Sequence, residues 1–117
     1  MPSLLRRLWV KRSVRYAQAI VARALDDRLR DGRETMKKSP SWREIGRDVQ
    51  RGASTASRAI ASVPIGTSGE TYVKAVVAAL DRALDGVQES GDDEHGLRAG
   101  TIRDIRADIV KRSGFRI

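Results

Sequence analysis

Cysteine is absent from the chain, which excludes disulfides, thiolate metal sites and thiol nucleophiles. Histidine occurs once, at His95, so a metal site built from several imidazoles is excluded as well. Only five aromatic residues are present (Trp9, Tyr16, Trp42, Tyr72 and Phe115). Strands prefer aromatic and β-branched residues, which here are few or scattered. The longest run free of Asp, Glu, Lys and Arg is Ala59 to Gly69, 11 residues. A membrane span needs about 18, so membrane insertion is not expected. Arg6, Arg7, Lys11 and Arg12 interrupt the first apolar residues, and no cleavable signal pattern is read there. The expected compartment is the cytoplasm.

What the chain does have is alanine, arginine and leucine, all strong helix formers. A length of 117 residues fits one compact domain. All-α is the expected class: a small helical domain of about five helices. Basic residues outnumber acidic ones by 23 to 15, for a net charge of +8, which points to a polyanionic partner. The charge is uneven. Residues 1–40 carry +7, residues 41–62 carry +2, residues 63–96 carry −5 and residues 97–117 carry +4. An acidic third quarter is unsuited to facing phosphates, so nucleic-acid contacts are expected from the first half, with help from the C-terminal segment.

Periodicity and turn signals divide the chain further. Ser3 is placed to cap a helix from Leu4 to about Arg30, with Ala17, Ile20, Val21, Ala24 and Leu25 on its apolar face. Its first turns are basic and amphipathic. Gly32 reads as the stop, and Gly32 to Pro40 as a linker. Ser41 and Glu44 have capping-box spacing, in which each side chain accepts from the other residue's free N–H. Trp42, Ile45, Gly46 and Val49 then mark one face of a short helix. Gln50-Arg51-Gly52 reads as a break, and Ala53 to Ala61 as a second short helix with Ala56, Ala59 and Ile60 inward. Val63 to Gly69 is a loop by its proline and glycines. The next helix begins at Ser68 or Gly69 and carries the stripe Tyr72, Val73, Val76, Val77, Leu80, Ala83, Leu84 and Val87. After the acidic turn Gly91 to Gly96, Thr101 and Asp104 form a second capping-box pattern. Ile102, Ile105, Ile109 and Val110 line the last helix, which Ser113-Gly114 ends. The domain reading is 1–90 as the binding domain and 91–117 as a C-terminal helix for dimerisation or DNA contact.

The segment Trp42 to Ile60, W-R-E-I-G-R-D-V-Q-R-G-A-S-T-A-S-R-A-I, resembles a helix-turn-helix of the Cro/repressor (lambda-repressor-like) family. Ile45 and Val49 match the buried positions of its first helix, Gly46 the small residue where two helices cross, and Ala56 and Ala59 the inward positions of its recognition helix. Gln50 and Arg51 stand where the family has glycine and an apolar residue, so Gly52 is expected to take up the sharp turn. The resemblance implies a sequence-specific DNA-binding regulator, a repressor of phage or plasmid type, bound to double-stranded DNA as a homodimer. The residue chemistry agrees, because a major groove admits one helix and its base edges offer hydrogen bonds. Ala53, Ser54, Ser57 and Arg58 are the expected base contacts. Arg43, Arg47, Arg51 and Thr55 are the expected phosphate contacts.

Two other functions fit the same residues. One is a helical module that binds protein or membrane through the basic N-terminal helix, and the other is a nonspecific nucleic-acid binder. Catalysis is not expected, since no nucleophile–base constellation occurs and carboxylate pairs such as Asp26-Asp27 and Asp81/Asp85 read as helix-surface partners of arginines. No cofactor, metal or small-molecule substrate is implied. His95 reads as part of a solvated acidic turn, and Gly66 to Gly69 as a plain loop.

Overall fold

The computed structural model describes residues 2–66 and 68–117, with side chains from Arg12 onward. Four α-helices account for most of it: α1 (Pro2–Lys38), α2 (Arg43–Ala61), α3 (Gly69–Ser90) and α4 (Leu97–Ser113). A short 3-10 turn at Pro40–Trp42 joins α1 to α2. No strand occurs among the described residues, so the all-α class holds, with four helices instead of about five.

Two glycines expected at helix ends lie inside helices, and the one in α2 accounts for the difference in count. Gly32 does not stop α1, and Gln50-Arg51-Gly52 does not break α2, which runs unbroken for 19 residues. Positive φ is found at Gly91, Gly96 and Gly114 and nowhere near Gly52. In place of the helix-turn-helix expected at 41–62 there is one continuous helix, Arg43–Ala61, entered through the 3-10 turn. The reason is packing. A Cβ on Gly46 would lie 2.6 Å from the Gly32 carbonyl oxygen and against Met36, and a Cβ on Gly32 would meet Gln50 Cγ at 2.8 Å. These glycines let α2 fold back along α1 with their backbones almost in contact. Gly52 does the same between α2 and α4, since its Cβ would lie 2.8 Å from the Arg98 carbonyl oxygen. Interior glycine costs a helix roughly 0.5–1 kcal/mol against alanine, and here the close approach of neighbouring helices offsets it.

Small residues continue this pattern in the core. Ala17, Val21 and Ala24 of α1 and Ala53, Ala56 and Ile60 of α2 are buried. They face the larger Val73, Val76 and Leu80 of α3 and Ile102, Ile105 and Ile109 of α4 in one continuous cluster. The isoleucine stripe of α4, a candidate dimer surface from the sequence, is thus at the centre of the intrachain core. All four helices touch one another, with α1 and α2 the most extensively packed pair.

Helix ends also differ from the sequence reading. Ser3 lies within α1. Ser41 sits in the 3-10 turn, where its hydroxyl is 2.9 Å from that of Ser39, and α2 starts without a side-chain cap. Thr101 is buried inside α4 and donates to the Leu97 carbonyl at 2.7 Å. Neither capping box forms. By contrast Ser68 caps α3 by accepting from the Thr71 N–H at 3.1 Å, and Gly91 ends that helix in the left-handed conformation. The shortest ion pairs tie helices together: Arg106 of α4 reaches Asp81 of α3 at 2.7 Å, and Arg112 reaches the half-buried Asp27 of α1 at 2.7 Å. Within α1 Asp27 also faces Arg23 at 3.9 Å, the i, i+4 partner expected from sequence.

α1 sets the long axis of the molecule, which measures 61 × 29 × 21 Å. Ser13 is where the start of α3 meets it, the Gly69 N–H donating to Ser13 Oγ at 2.9 Å. The residues before Ser13 carry α1 about 16 Å further. The amphipathic face expected at Leu4, Leu5, Leu8 and Trp9 lies outside the residues whose side chains are described.

Two alanine substitutions at glycine test this packing with opposite signs. Gly46→Ala should destabilise the fold by about 1–3 kcal/mol through overpacking against α1. Gly86→Ala should stabilise it by about 0.5–1 kcal/mol, because nothing lies within 4 Å of that position on α3. Chemical denaturation followed by circular dichroism measures both.

Candidate functional site

An unbroken α2 turns the polar residues of its sequence into one stripe. At about 100° per residue, Arg43, Arg47, Arg51, Ser54 and Arg58 fall within a sector of roughly 80°. All five are exposed. Gly46, Gly52, Ala53, Ala56 and Ile60 occupy the buried face against α1 and α4. The stripe from Arg43 to Arg58 is about 22 Å long.

This face forms one wall of an open groove of about 570 Å³. The other wall comes from the segment entering α4, which contributes Asp92 and Arg98. That segment is firmly built. Gly91 and Gly96 both adopt left-handed φ, +70° and +67°, as L-residues rarely do. Between them the Asp93 carboxylate accepts from the backbone N–H groups of Arg98 at 3.1 Å and Ala99 at 3.0 Å. Asp93 is thereby the true cap of α4, supplying acceptors to two of the four free N–H groups at its start.

The electrostatics are mixed at one end and basic at the other. Toward the start of α2 the groove continues into a smaller recess of about 250 Å³, where Arg47 and Arg51 meet Glu44, Asp48, Asp92, Glu94 and His95. Arg51 is paired with Asp48 at 3.6 Å. No ion pair joins Arg43, Arg47, Arg58 or Arg98 to a carboxylate among the described residues. The Arg98 Nε is out of solvent and has no hydrogen-bond partner. No group of three or more His, Cys, Asp or Glu side chains suited to a metal ion occurs among the described residues.

The structure separates the expected contact residues. Ser54 and Arg58 lie on the exposed stripe with Arg43, Arg47 and Arg51. Ser57 is exposed too, but about 100° around the helix from Arg58. Ala53 is fully buried, at 0% exposure, and cannot meet a base edge; in the unbroken helix it belongs to the core face. Thr55 is half-buried and donates its hydroxyl proton to the Arg51 carbonyl at 3.0 Å, so it has no proton left for a phosphate. Arg98 and Asp92 were not singled out by the sequence. They are over 30 residues from α2, and the packing of α4 on α2, closest at Gly52, brings them beside it. Tyr72, elsewhere in the core, is held neutral to a higher pH than usual by burial and takes no part here.

Replacing Asp93 tests how the second wall is held. Asp93→Ala should cost about 1 kcal/mol of stability, read as a lower denaturation midpoint, and should speed amide hydrogen exchange at Arg98 and Ala99. In comparison with known proteins, the chain matches no family model, no curated protein and no solved structure.

Proposed function

We propose that the protein binds the phosphate backbone of nucleic acid through the arginine stripe of α2. The observation that carries this reading is the alignment of Arg43, Arg47, Arg51 and Arg58 on one exposed helix face, three of them without an ion-pair partner among the described residues. Cations displayed at regular spacing on a rigid element suit a regular array of anions. A duplex presents one phosphate per about 3.4 Å of axis on each strand, so the stripe runs past roughly six of them. Guanidinium groups take phosphate oxygens in pairs of parallel hydrogen bonds.

A repressor-like reading needs a bent helix pair that projects its second member into a major groove. α2 has no bend, and Ala53 is not available. Contact to the backbone requires neither, and it matches the nonspecific alternative that the composition already admits. Such binding rests on counterion release and is steeply dependent on salt.

Fluorescence anisotropy with a labelled duplex tests the proposal. The triple variant Arg47→Ala/Arg51→Ala/Arg58→Ala should lower affinity by about 100-fold or more at ~0.1 M salt and flatten the salt dependence by about 2–3 in slope. A charge-matched control, Arg82→Ala/Arg103→Ala/Arg116→Ala, should lose much less. Equal losses in the two variants, or no duplex binding by the unaltered protein at low salt, would reject the stripe as the interface.

A further inference from the structure

We infer that the groove between α2 and the Asp92–Arg98 segment seats one phosphate strand of a double helix in preference to a single strand; this rests on the nucleic-acid reading above and specifies its ligand. Three observations converge on it. The first is what the groove lacks. Its lining is the four arginines Arg47, Arg51, Arg58 and Arg98, the two carboxylates Asp48 and Asp92, and Gln50, Ser54 and Thr55, with no aromatic residue among them. Proteins that hold single strands combine charge with aromatic platforms on which the splayed bases stack. Among the described residues the exposed aromatics lie outside its lining: Tyr16 is on α1, and Trp42 precedes α2 with the Lys38 ammonium 5.6 Å from its ring centre. A strand whose bases are already stacked and paired inside a duplex asks for no platform.

The second observation is the opposite wall. Arg98 belongs to α4, yet its backbone is pressed against α2 at Gly52, so the residue lines the groove together with Arg51. A phosphate between the walls meets cations from two helices at once. Arg51 must exchange Asp48, 3.6 Å away, for the phosphate.

The third is a boundary. Glu44, Asp92 and Glu94 gather at the end of the groove near the start of α2. Arg47 and Arg51 reach into that end too, but the four carboxylates there, Asp48 included, outnumber them, so a phosphate strand is favoured toward Arg58. Asp92 stands at that boundary and limits the affinity of the site.

Binding of the full-length chain to a duplex and to an unstructured single strand of equal length decides the matter, together with two single variants. The duplex should bind about 5-fold or more tightly at ~0.1 M salt. Arg98→Ala should weaken duplex binding by about 5- to 10-fold, the expected loss for one phosphate contact at that salt. Asp92→Asn should strengthen it by about 2-fold or more. Circular dichroism and the denaturation midpoint of each variant establish that it is folded, and Arg98→Lys, which keeps the charge, should recover part of the loss. Single-strand binding equal to or tighter than duplex binding overturns the inference. So does an Arg98→Ala or Asp92→Asn protein that is folded and binds the duplex as the unaltered chain does. Either result leaves the stripe reading intact if the α2 triple variant still loses affinity. Absence of any duplex binding removes both.

Discussion

Backbone-to-backbone contact between helices is the constraint on which this structure depends. Gly46 against Gly32, Gly52 against Arg98 and Gly69 against Ser13 are three places where a single methyl group would collide with a neighbouring main chain. Each fixes the distance between a pair of helices, and together they join α2 to α1, α2 to α4 and α3 to α1. The alanines at 17, 24, 53 and 56 continue the close fit along the same faces. Dispersion falls off steeply with separation, so helices that approach this closely gain many weak contacts along their length. A chain of modest size with few aromatics can thus build a dense core without bulky side chains.

The same contacts determine the site. With α2 continuous, its buried face is the one that carries glycine and alanine, and the arginines are left on the outside. With Gly52 against Arg98, the start of α4 lies beside that arginine face and a groove forms instead of a flat helix surface. Charge selection in the sequence and shape selection by glycine therefore act at the same residues. Remove either and the groove loses its cations or its second wall.

Much of this was legible in the sequence, and the largest failure, the break expected in α2, has one cause. The all-α class followed from composition. The limits of α3 followed from Ser68, Gly91 and an uninterrupted apolar stripe, and the core face of α4 followed from Ile102, Ile105 and Ile109. The polar face of α2 was also visible, since Ser54, Arg58, Arg47 and Arg51 point outward in either a bent or a straight helix. What misled was glycine. Gly32 and Gly52 have the local signature of a stop, and nothing in a single sequence states which distant backbone requires the missing side chain. Gly46 was read correctly as a point of close crossing, but its partner is α1 and not the residues that follow it. One signal did oppose the break. Ile45, Gly46, Val49, Ala53, Ala56 and Ile60 stay in a single helical phase across Gln50–Gly52, and a true turn between two helices would have reset it. Arg98 had no comparable signal, because its place beside α2 depends on packing between elements far apart in the chain.

The six residues from Gly91 to Gly96 have a consequence for any ligand that enters the groove. Two left-handed glycines bound this connection, and the Asp93 carboxylate and the Gly96 N–H to Asp93 carbonyl bond at 3.1 Å tie it across its width. Ordering a backbone residue costs about 1–2 kcal/mol of conformational entropy, and for this wall that loss is already incurred in folding. The connection is a preorganised surface, so a strand bound as proposed would not first have to arrange its receptor. Loops that connect helices are commonly the adaptable part of a surface; in this molecule the loop is the fixed part, and under the proposed reading a ligand would have to conform to it.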